Sequence, residues 1–487
     1  MVKSKEIKKE KAETKDSGSA ISIKSFITVV SILLALLFTS GFLSYVIPQG
    51  HFEVDGEGLI IADSYVEGEV QGIAIWRVVT APFRVFVSED ALTVIMISVF
   101  LLVMSGVFNL LEKTNGTKIV IGHLMHRLAN KGAPVVCLCV LIFMLFGSFF
   151  GMFEELVTLL PLIITFMLSM GMDTMIGLGA CLLAACFGFS AAITNPFSVG
   201  LAASVAGVEI REGLWLRVVF FTIIYACLCS FLMIYLKKIK KNPEASLTYK
   251  SDLVRRESAG DIHNLDLKNP ENVRIFKVFT VFFTAQMVIL ILIAFIRSLS
   301  DLAIPILAVS FLIGGLICGF IVVKEKLDTF KFIGQGAISM LPAVLMIALA
   351  SSIKLVMTES GIIGTVMHYV ISLLDGKSKF VTILLVYFLI LILQIFIGSS
   401  SAKIMLVLPI IVPICASVGI SPTMVILTYC MADGFSDVIL PTNPVLLVGL
   451  SMANVSYTKW FKWTWKLQTF ILALTVAVLG IATMLGY

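Results

Sequence analysis

The chain is predicted to fold as an all-α polytopic membrane protein of two inverted repeats, each holding a re-entrant hairpin and a broken helix. Three observations carry that prediction. Of its 487 residues, 59% are hydrophobic and only 14% charged, and the mean hydropathy is +1.02, more apolar than a soluble core of this size can hide. Apolar stretches recur at about 20 residues, the length that a hydrocarbon layer of roughly 30 Å demands of a helix, without the weak ten-residue alternation of an outer-membrane barrel. Residues 151–217 also align without a gap on residues 399–465, 248 positions later. Pro161 falls on Pro409, Gly171 on Gly419, Thr194-Asn195-Pro196 on Thr442-Asn443-Pro444 and Trp215 on Trp463. Only 11 of the 67 aligned positions are identical, so the signal is the conserved spacing of helix-breaking and polar residues within apolar chain.

Charge orders the segments. Seven lysines lie in the first 24 positions, whereas residues 48–72 carry six acids and no Lys or Arg. The excess of positive charge on inner loops therefore puts the tail, 1–23, in the cytoplasm and the acidic loop outside. Scaffold helices of the first repeat occupy 24–132, with spans at 24–47 and 91–111 and an interfacial stretch at 73–89. A hairpin over 133–170 and a broken helix over 174–208 form the unit 133–212, and the span 213–236 leads to a basic cytoplasmic linker, 237–277. The second repeat has scaffold helices in 278–379, with spans at 278–298, 301–323 and 337–357. A second hairpin, 380–418, and broken helix, 423–455, lie within 380–458, and the last span lies in 459–487. Counting sides from the lysines, the hairpins enter from opposite faces, which gives the inversion, nine full spans and two hairpins.

Breaks inside membrane helices are where chemistry is expected. Non-helical backbone at that depth must be buried in protein or line a cavity, and paired broken helices meeting near the bilayer centre mark a secondary transporter. The second hairpin tip reads Gly398-Ser399-Ser400-Ser401-Ala402-Lys403, where freed amides at a helix start can hold an anionic group. The first tip offers Gly147, Ser148, Gly151, Glu154 and Glu155. At Thr194-Asn195-Pro196 and Thr442-Asn443-Pro444 each proline removes a donor and displaces a carbonyl. The freed oxygens suit a small cation, and the following half-helix points its positive end at an anion. A structural kink is the usual meaning of one such triplet; two in register are more specific.

Charge within apolar blocks is the other clue, because an ionisable group at the bilayer centre costs at least ~2.5 kcal/mol on insertion scales. Glu154, Glu155, Lys403, Asp433 and Asp437 all qualify, four acids against one base. Glu155 and Lys403 are equivalent under the 248-residue offset, so they could clamp the ammonium and carboxylate of one amino acid. Asp433 and Asp437, four apart, share a helix face open to a proton, a sodium ion or a cationic head. The competing reading is a structural ion pair between Lys403 and one carboxylate. The substrate-binding set is thus Ser148, Gly151, Glu154, Glu155, Asn195, Ser399, Ser400, Ser401, Lys403, Asp433, Asp437 and Asn443. The coupling-ion set is Thr194, Asn195, Thr442, Asn443, Asp433 and Asp437.

Other chemistries find little support. The nine cysteines fall in membrane segments without metal-ligand spacing and read as small packing residues. The five histidines are dispersed, and Gly177-x-Gly179 follows no strand, so neither a catalytic triad, a transition-metal site nor a nucleotide loop is expected. The net charge of +5 sits in the tail and linker as a marker of sidedness, not a nucleic-acid footprint.

The tips GMFEE (151–155) and GSSSAK (398–403), with ITNPFSVGLAASVAGV (193–208), DTFKFIGQG (328–336) and DGFSDVILPTNP (433–444), resemble the YfcC family of the DcuC-like, C4-dicarboxylate anaerobic carrier group. The resemblance covers nearly the whole chain after residue 24. It implies a place in the ion transporter superfamily and an elevator-type homodimer, in which a domain of two hairpins and two broken helices moves against a scaffold. It also implies cargoes ranging from dicarboxylates to basic amino acids. The expected function is secondary active transport of a small amino acid or organic acid, preferably a basic amino acid, by exchange or ion coupling. A sodium- or proton-coupled C4-dicarboxylate carrier is the alternative, and an ion channel the alternative of another class. No enzyme activity is expected, and no cofactor beyond a coupling Na+ or H+. The expected partners are the solute, the lipid bilayer and a second copy, in a bacterial-type inner membrane.

Overall fold

A computed structural model describes residues 23–53, 64–89, 91–116, 118–120, 123, 132–259, 269–295, 302–373 and 376–487. The basic tail 1–22, most of 121–131 and the linker stretch 260–268 lie outside the described residues. Apart from a two-residue antiparallel pairing of β1 (Gly50–His51) with β2 (Val66–Glu67), the described elements are helical.

The helices in chain order are α1 (Ile23–Leu43), α2 (Ile75–Arg84), α3 (Ala91–Lys113), α4 (Ala133–Phe150), α5 (Leu160–Ser169), α6 (Thr174–Leu178), α7 (Ala184–Ser190), α8 (Leu201–Ala206), α9 (Leu214–Lys241) and α10 (Tyr249–Ala259). The second half holds α11 (Pro270–Phe295), α12 (Ala303–Val322), α13 (Lys326–Ser339), α14 (Leu341–Glu359), α15 (Ile362–Ser372), α16 (Lys379–Phe396), α17 (Ser400–Ser417), α18 (Pro422–Asp437), α19 (Pro444–Met452) and α20 (Tyr457–Met484). Among the described residues, nine helices are long and apolar enough to cross a membrane. They are not the nine spans expected. Three, α4, α16 and α17, fall in the segments expected as hairpins, while α1 and the two broken helices fall short as described. Helix α13, which carries Lys326 and Lys331, precedes the next span, which starts at Leu341 instead of 337.

Backbone devices recur at the 248-residue offset. Gly171 and Gly419 both take φ +77, a left-handed turn that glycine makes at least cost. Each is followed two residues later by a side-chain cap. Asp173 accepts from the Ile176 amide at 2.9 Å, and Ser421 from the Met424 amide at 3.1 Å. These caps start the two broken-helix stems, α6–α7 and α18, joined in the first by a π-turn at Gly179–Leu183. Further along, Asn195 and Asn443 cap the half-helices beyond the breaks. The stems meet at equivalent residues: Phe187 sits edge-on to Phe435 at 5.0 Å, and Cys186 Sγ donates to Gly434 O at 3.0 Å.

Helix α9 serves as a ruler. At 28 residues it runs roughly 42 Å. Near its end, the Tyr235 hydroxyl donates to Asp173 at 2.7 Å. At its start, Gly213 O accepts from the Tyr487 hydroxyl, and Tyr487 O accepts from Ser421 Oγ, both at 2.7 Å. The caps that begin the two stems therefore stand at opposite ends of α9.

Small residues let these helices approach closely, the usual means of association where lipid removes the hydrophobic drive. A Cβ on Gly147 would lie 2.2 Å from Ala185 O, and one on Gly188 2.1 Å from Met144 O, so α4 and α7 touch backbone to backbone. The same device joins α3 to α13 through Gly106, Ser105 Oγ on Gly336 O and Asn109 Nδ2 on Phe332 O. The interfacial stretch expected at 73–89 includes α2, whose Arg84 forms a two-pronged ion pair with Glu359 at the end of α14.

Candidate functional site

Lys403 and Asp433 form the centre. Ser399 caps α17 through a 3.4 Å bond from the Ala402 amide, and Lys403 lies one turn beyond, fully buried. Its Nζ forms an ion pair with Asp433 Oδ1 on α18. The pair is ionic contact without hydrogen-bond geometry, and Asp433 Oδ2 is buried with no hydrogen-bond partner. Lys403 thus meets one carboxylate in a buried ion pair, at the point of the chain where carriage was expected. Glu155, the expected opposite of Lys403, has a side chain outside the described residues, and Glu154 is half-buried.

One turn further on, Asp437 is buried and Oδ1 takes two amides, Gln394 Nε2 from α16 and Asn443 Nδ2 at 2.7 Å from the break itself. Asn443 Oδ1 meanwhile accepts from the Val445 and Leu446 amides at 2.9 and 3.2 Å. A single side chain therefore binds the break to the carboxylate and occupies two of the donors of α19. Thr442 beside it is also buried. Tyr429, one turn before Asp433, donates to Ser400 O at 2.7 Å and joins the hairpin tip to the stem. Ser401 is half-buried.

The first break is built from neutral groups. Ser148 O receives the Ile193, Thr194 and Asn195 amides at 3.1, 3.2 and 3.0 Å, and Ser148 Oγ donates to Ala191 O at 2.8 Å. Thr194 Oγ1 donates to Phe149 O at 3.3 Å. Asn195 Oδ1 caps the Phe197 amide at 2.9 Å, but Nδ2, fully buried, has no partner. These contacts spend the three amides before Pro196 on the Ser148 carbonyl. They also move the tip. Gly147 and Ser148 lie within α4, and the turn begins at Gly151, whose φ of +70 ends the helix and whose Cα stands against Asn195 Oδ1.

Sequence reasoning singled out neither Gln394 nor Tyr429. The signal was present for Gln394, a lone side-chain amide in the largely apolar 18-residue helix α16, which lipid would not tolerate facing outward. A larger omission is the linker. Asp252 on α10 accepts from the Thr174 amide and hydroxyl at 2.9 and 2.5 Å, and from Thr248 Oγ1 at 2.7 Å. Arg255 donates to Thr174 Oγ1 at 3.1 Å and to Ala453 O at 2.5 Å, so α10 touches the start of one broken helix and the end of the other. Burial pushes the Asp173 carboxyl above the usual carboxylate range, against the pull of bonds from Ser246, Tyr235 and Ile176, with Asp252 adding to the rise. Burial likewise lowers Arg255, which the nearby Asp252 and Glu112 charges oppose. Trp215 and Trp463, aligned in sequence, have different surroundings: the first is exposed beside Tyr487, the second buried among Phe231, Tyr235 and Trp460.

Apolar spanning helices, interrupted stems and a buried ion pair at the break define a multi-pass membrane transport protein. The family profile of the C4-dicarboxylate anaerobic carriers, DcuC, matches residues 25–484, and the chain belongs to that family. It is 27% identical over 410 residues, 81% of this chain and 79% of the other, to YfcC of Escherichia coli (strain K12), provisionally named a basic amino acid antiporter. An uncharacterized protein of Haemophilus influenzae (strain ATCC 51907 / DSM 11121 / KW20 / Rd) is 27% identical over 375 residues, 77% of this chain and 72% of that one. Among solved structures, the Alcanivorax borkumensis YdaH transporter aligns over 95% of this chain and 99% of its own, at 16% identity and a TM-score of 0.43. MtrF of Neisseria gonorrhoeae aligns over 93% and 94%, at 14% identity and a TM-score of 0.39.

Proposed function

We propose that the chain is a secondary active transporter of a basic amino acid, working by exchange or by coupling to Na+ or H+. The observation that carries this reading is the buried group Lys403, Asp433 and Asp437 at the second break. With all three ionised its formal charge is −1, and Asp433 keeps a buried oxygen unspent. An unoffset negative charge in a dry site needs a cation, which an ammonium or guanidinium supplies. Across the stem interface, the unpartnered Asn195 Nδ2 offers a donor for a carboxylate or carbonyl of the same solute. The provisional name of the Escherichia coli relative points the same way.

Inverted repeats are supported by the stem caps at opposite ends of α9 and by the contacts between equivalent residues, Phe187 with Phe435 and Cys186 with Gly434. A residue that touches its own counterpart lies near a twofold relation. In the mechanism we infer, the hairpins and broken helices move as one body against α1–α3 and α11–α15, in a homodimer. The chain lies in a bacterial-type inner membrane with its N-terminus cytoplasmic and needs no cofactor beyond the coupling ion.

The family description favours a second reading, a C4-dicarboxylate carried with sodium ions or protons. Uptake into proteoliposomes of arginine, ornithine, aspartate and succinate, each with and without a sodium or proton gradient and with internal counter-substrate, separates the two. We expect saturable arginine or ornithine exchange. Transport of succinate alone would overturn the basic amino acid.

A further inference from the structure

The Lys403–Asp433 pair is built unlike that of Arg84 and Glu359. The latter two meet through a pair of hydrogen-bonded prongs. Neither Lys403 Nζ nor either oxygen of Asp433 has a hydrogen-bond partner, although all three atoms are buried. Contact of this kind offsets little of the cost of desolvating both partners. The side-chain amides nearby, on Gln394 and Asn443, donate to Asp437 instead. Asp433 is thus left for a cation that brings its own donors.

Lys403 is also at the unfavourable end of its helix. It is the fourth residue of α17, close to the positive end of the helix dipole, where a cation is disfavoured. Side chains on a helix lean toward its N-terminus, so the Lys403 stem leads back toward Ser399 and Gly398, the exposed tip of the hairpin. A Cβ on Gly398 would meet nothing within 4 Å, so the tip is open there. The flexible four-carbon stem of a lysine can carry its ammonium from a buried end to an exposed one.

We propose, taking the basic amino acid as cargo, that Lys403 is a tethered stand-in for the solute's cation, and that binding exchanges one ion pair for two. The solute's guanidinium or side-chain ammonium takes Asp433 and supplies the hydrogen bonds that Lys403 does not make there. Lys403, released toward the tip, meets the solute's carboxylate beside the half-buried Ser400 and Ser401. An amine without a carboxylate would seat its cation but strand Lys403 at a helix N-terminus with no counter-ion. The site therefore selects a solute that carries both charges, and Asp433 keeps a partner after the solute has left.

The test is equilibrium binding of radiolabelled arginine to the full-length purified chain in detergent, at constant ionic strength, with agmatine as competitor. Agmatine is arginine without its carboxylate and is a dication, so a site that was merely acidic would prefer it. We expect wild type to bind arginine at least about tenfold tighter than agmatine. In Lys403→Met no lysine is stranded, so that preference should vanish or reverse, with agmatine bound at least about tenfold tighter than by wild type. Agmatine bound by wild type as tightly as arginine overturns the exchange of pairs and leaves the basic amino acid standing as cargo. A preference for arginine that survives unchanged in Lys403→Met does the same. Should Lys403→Met fail to fold, the wild-type ratio still decides. Binding of succinate with neither arginine nor ornithine bound sinks the cargo and the exchange together.

Discussion

The two breaks share a backbone and differ in charge. Each has a proline after a capping asparagine, and each stem begins with a left-handed glycine and a side-chain cap. Yet the positions of Asp433 and Asp437 in the second stem are held in the first by Ala185 and Phe189. Where Asn443 Nδ2 meets a carboxylate, Asn195 Nδ2 meets nothing. The difference teaches that bending a membrane helix and charging it are separable. Proline, glycine and asparagine make the break, and the acids and lysine added to one copy give it an ionic partner. The bend occurs twice, and the stem acids Asp433 and Asp437 occur once.

The largest effect expected from breaking this asymmetry is at the ion pair. Lys403→Ala leaves Asp433 buried and uncompensated, which should cost about 3–5 kcal/mol and abolish uptake. The double change Lys403→Met with Asp433→Leu should recover much of the stability without recovering transport, read by thermal denaturation and by proteoliposome uptake. Recovery of both would mean the pair is only structural. The asparagines come next. Asn195→Ala removes one capping bond, about 1 kcal/mol, while Asn443→Ala removes two caps and a donor to Asp437 and should cost clearly more. Equal losses in denaturant melts would erase the contrast between the breaks.

A comparable gap is expected at the hairpin tips. Gly151 holds φ +70, and an added Cβ would come within 2.3 Å of Asn195 Oδ1, so Gly151→Ala should cost about 1–3 kcal/mol. Its equivalent Ser399 holds an ordinary φ of −78, and Ser399→Ala loses only a long 3.4 Å cap. The smallest effect concerns pH. Asp173 is held above its ordinary carboxylate value, so the folded chain binds this proton more tightly than the unfolded one. Its contribution is present in full below the unfolded value and is lost as pH rises through the folded one. Tm measured upward from about pH 4 should fall less in Asp173→Asn than in wild type. Parallel profiles would mean that Asp173 does not titrate in this window.

The course of the chain was largely legible, because helix length in lipid is fixed by thickness and breaks are written in Pro, Gly and Asn. The spans at 91–111, 213–236 and 301–323 differ from α3, α9 and α12 by a few residues at most ends. What periodicity and spacing could not supply was pairing. Lys403 had several acids within reach on paper, and which one it meets depends on how α17 crosses α18. The first tip moved for a similar reason. Gly147 looked like a turn glycine but serves as a contact point for α7, a use visible only once the neighbour is known. Asp252 and Arg255, read as part of a charged loop marking sidedness, bond to Thr174 and Ala453.

That last contact has a consequence for watching the protein work. In a carrier whose hairpins and broken helices travel together, α10 is fastened to the traveller. The segment between the halves then rides along as an outrigger, and a fluorophore at exposed Lys250 would report each stroke from the aqueous side without entering the bilayer.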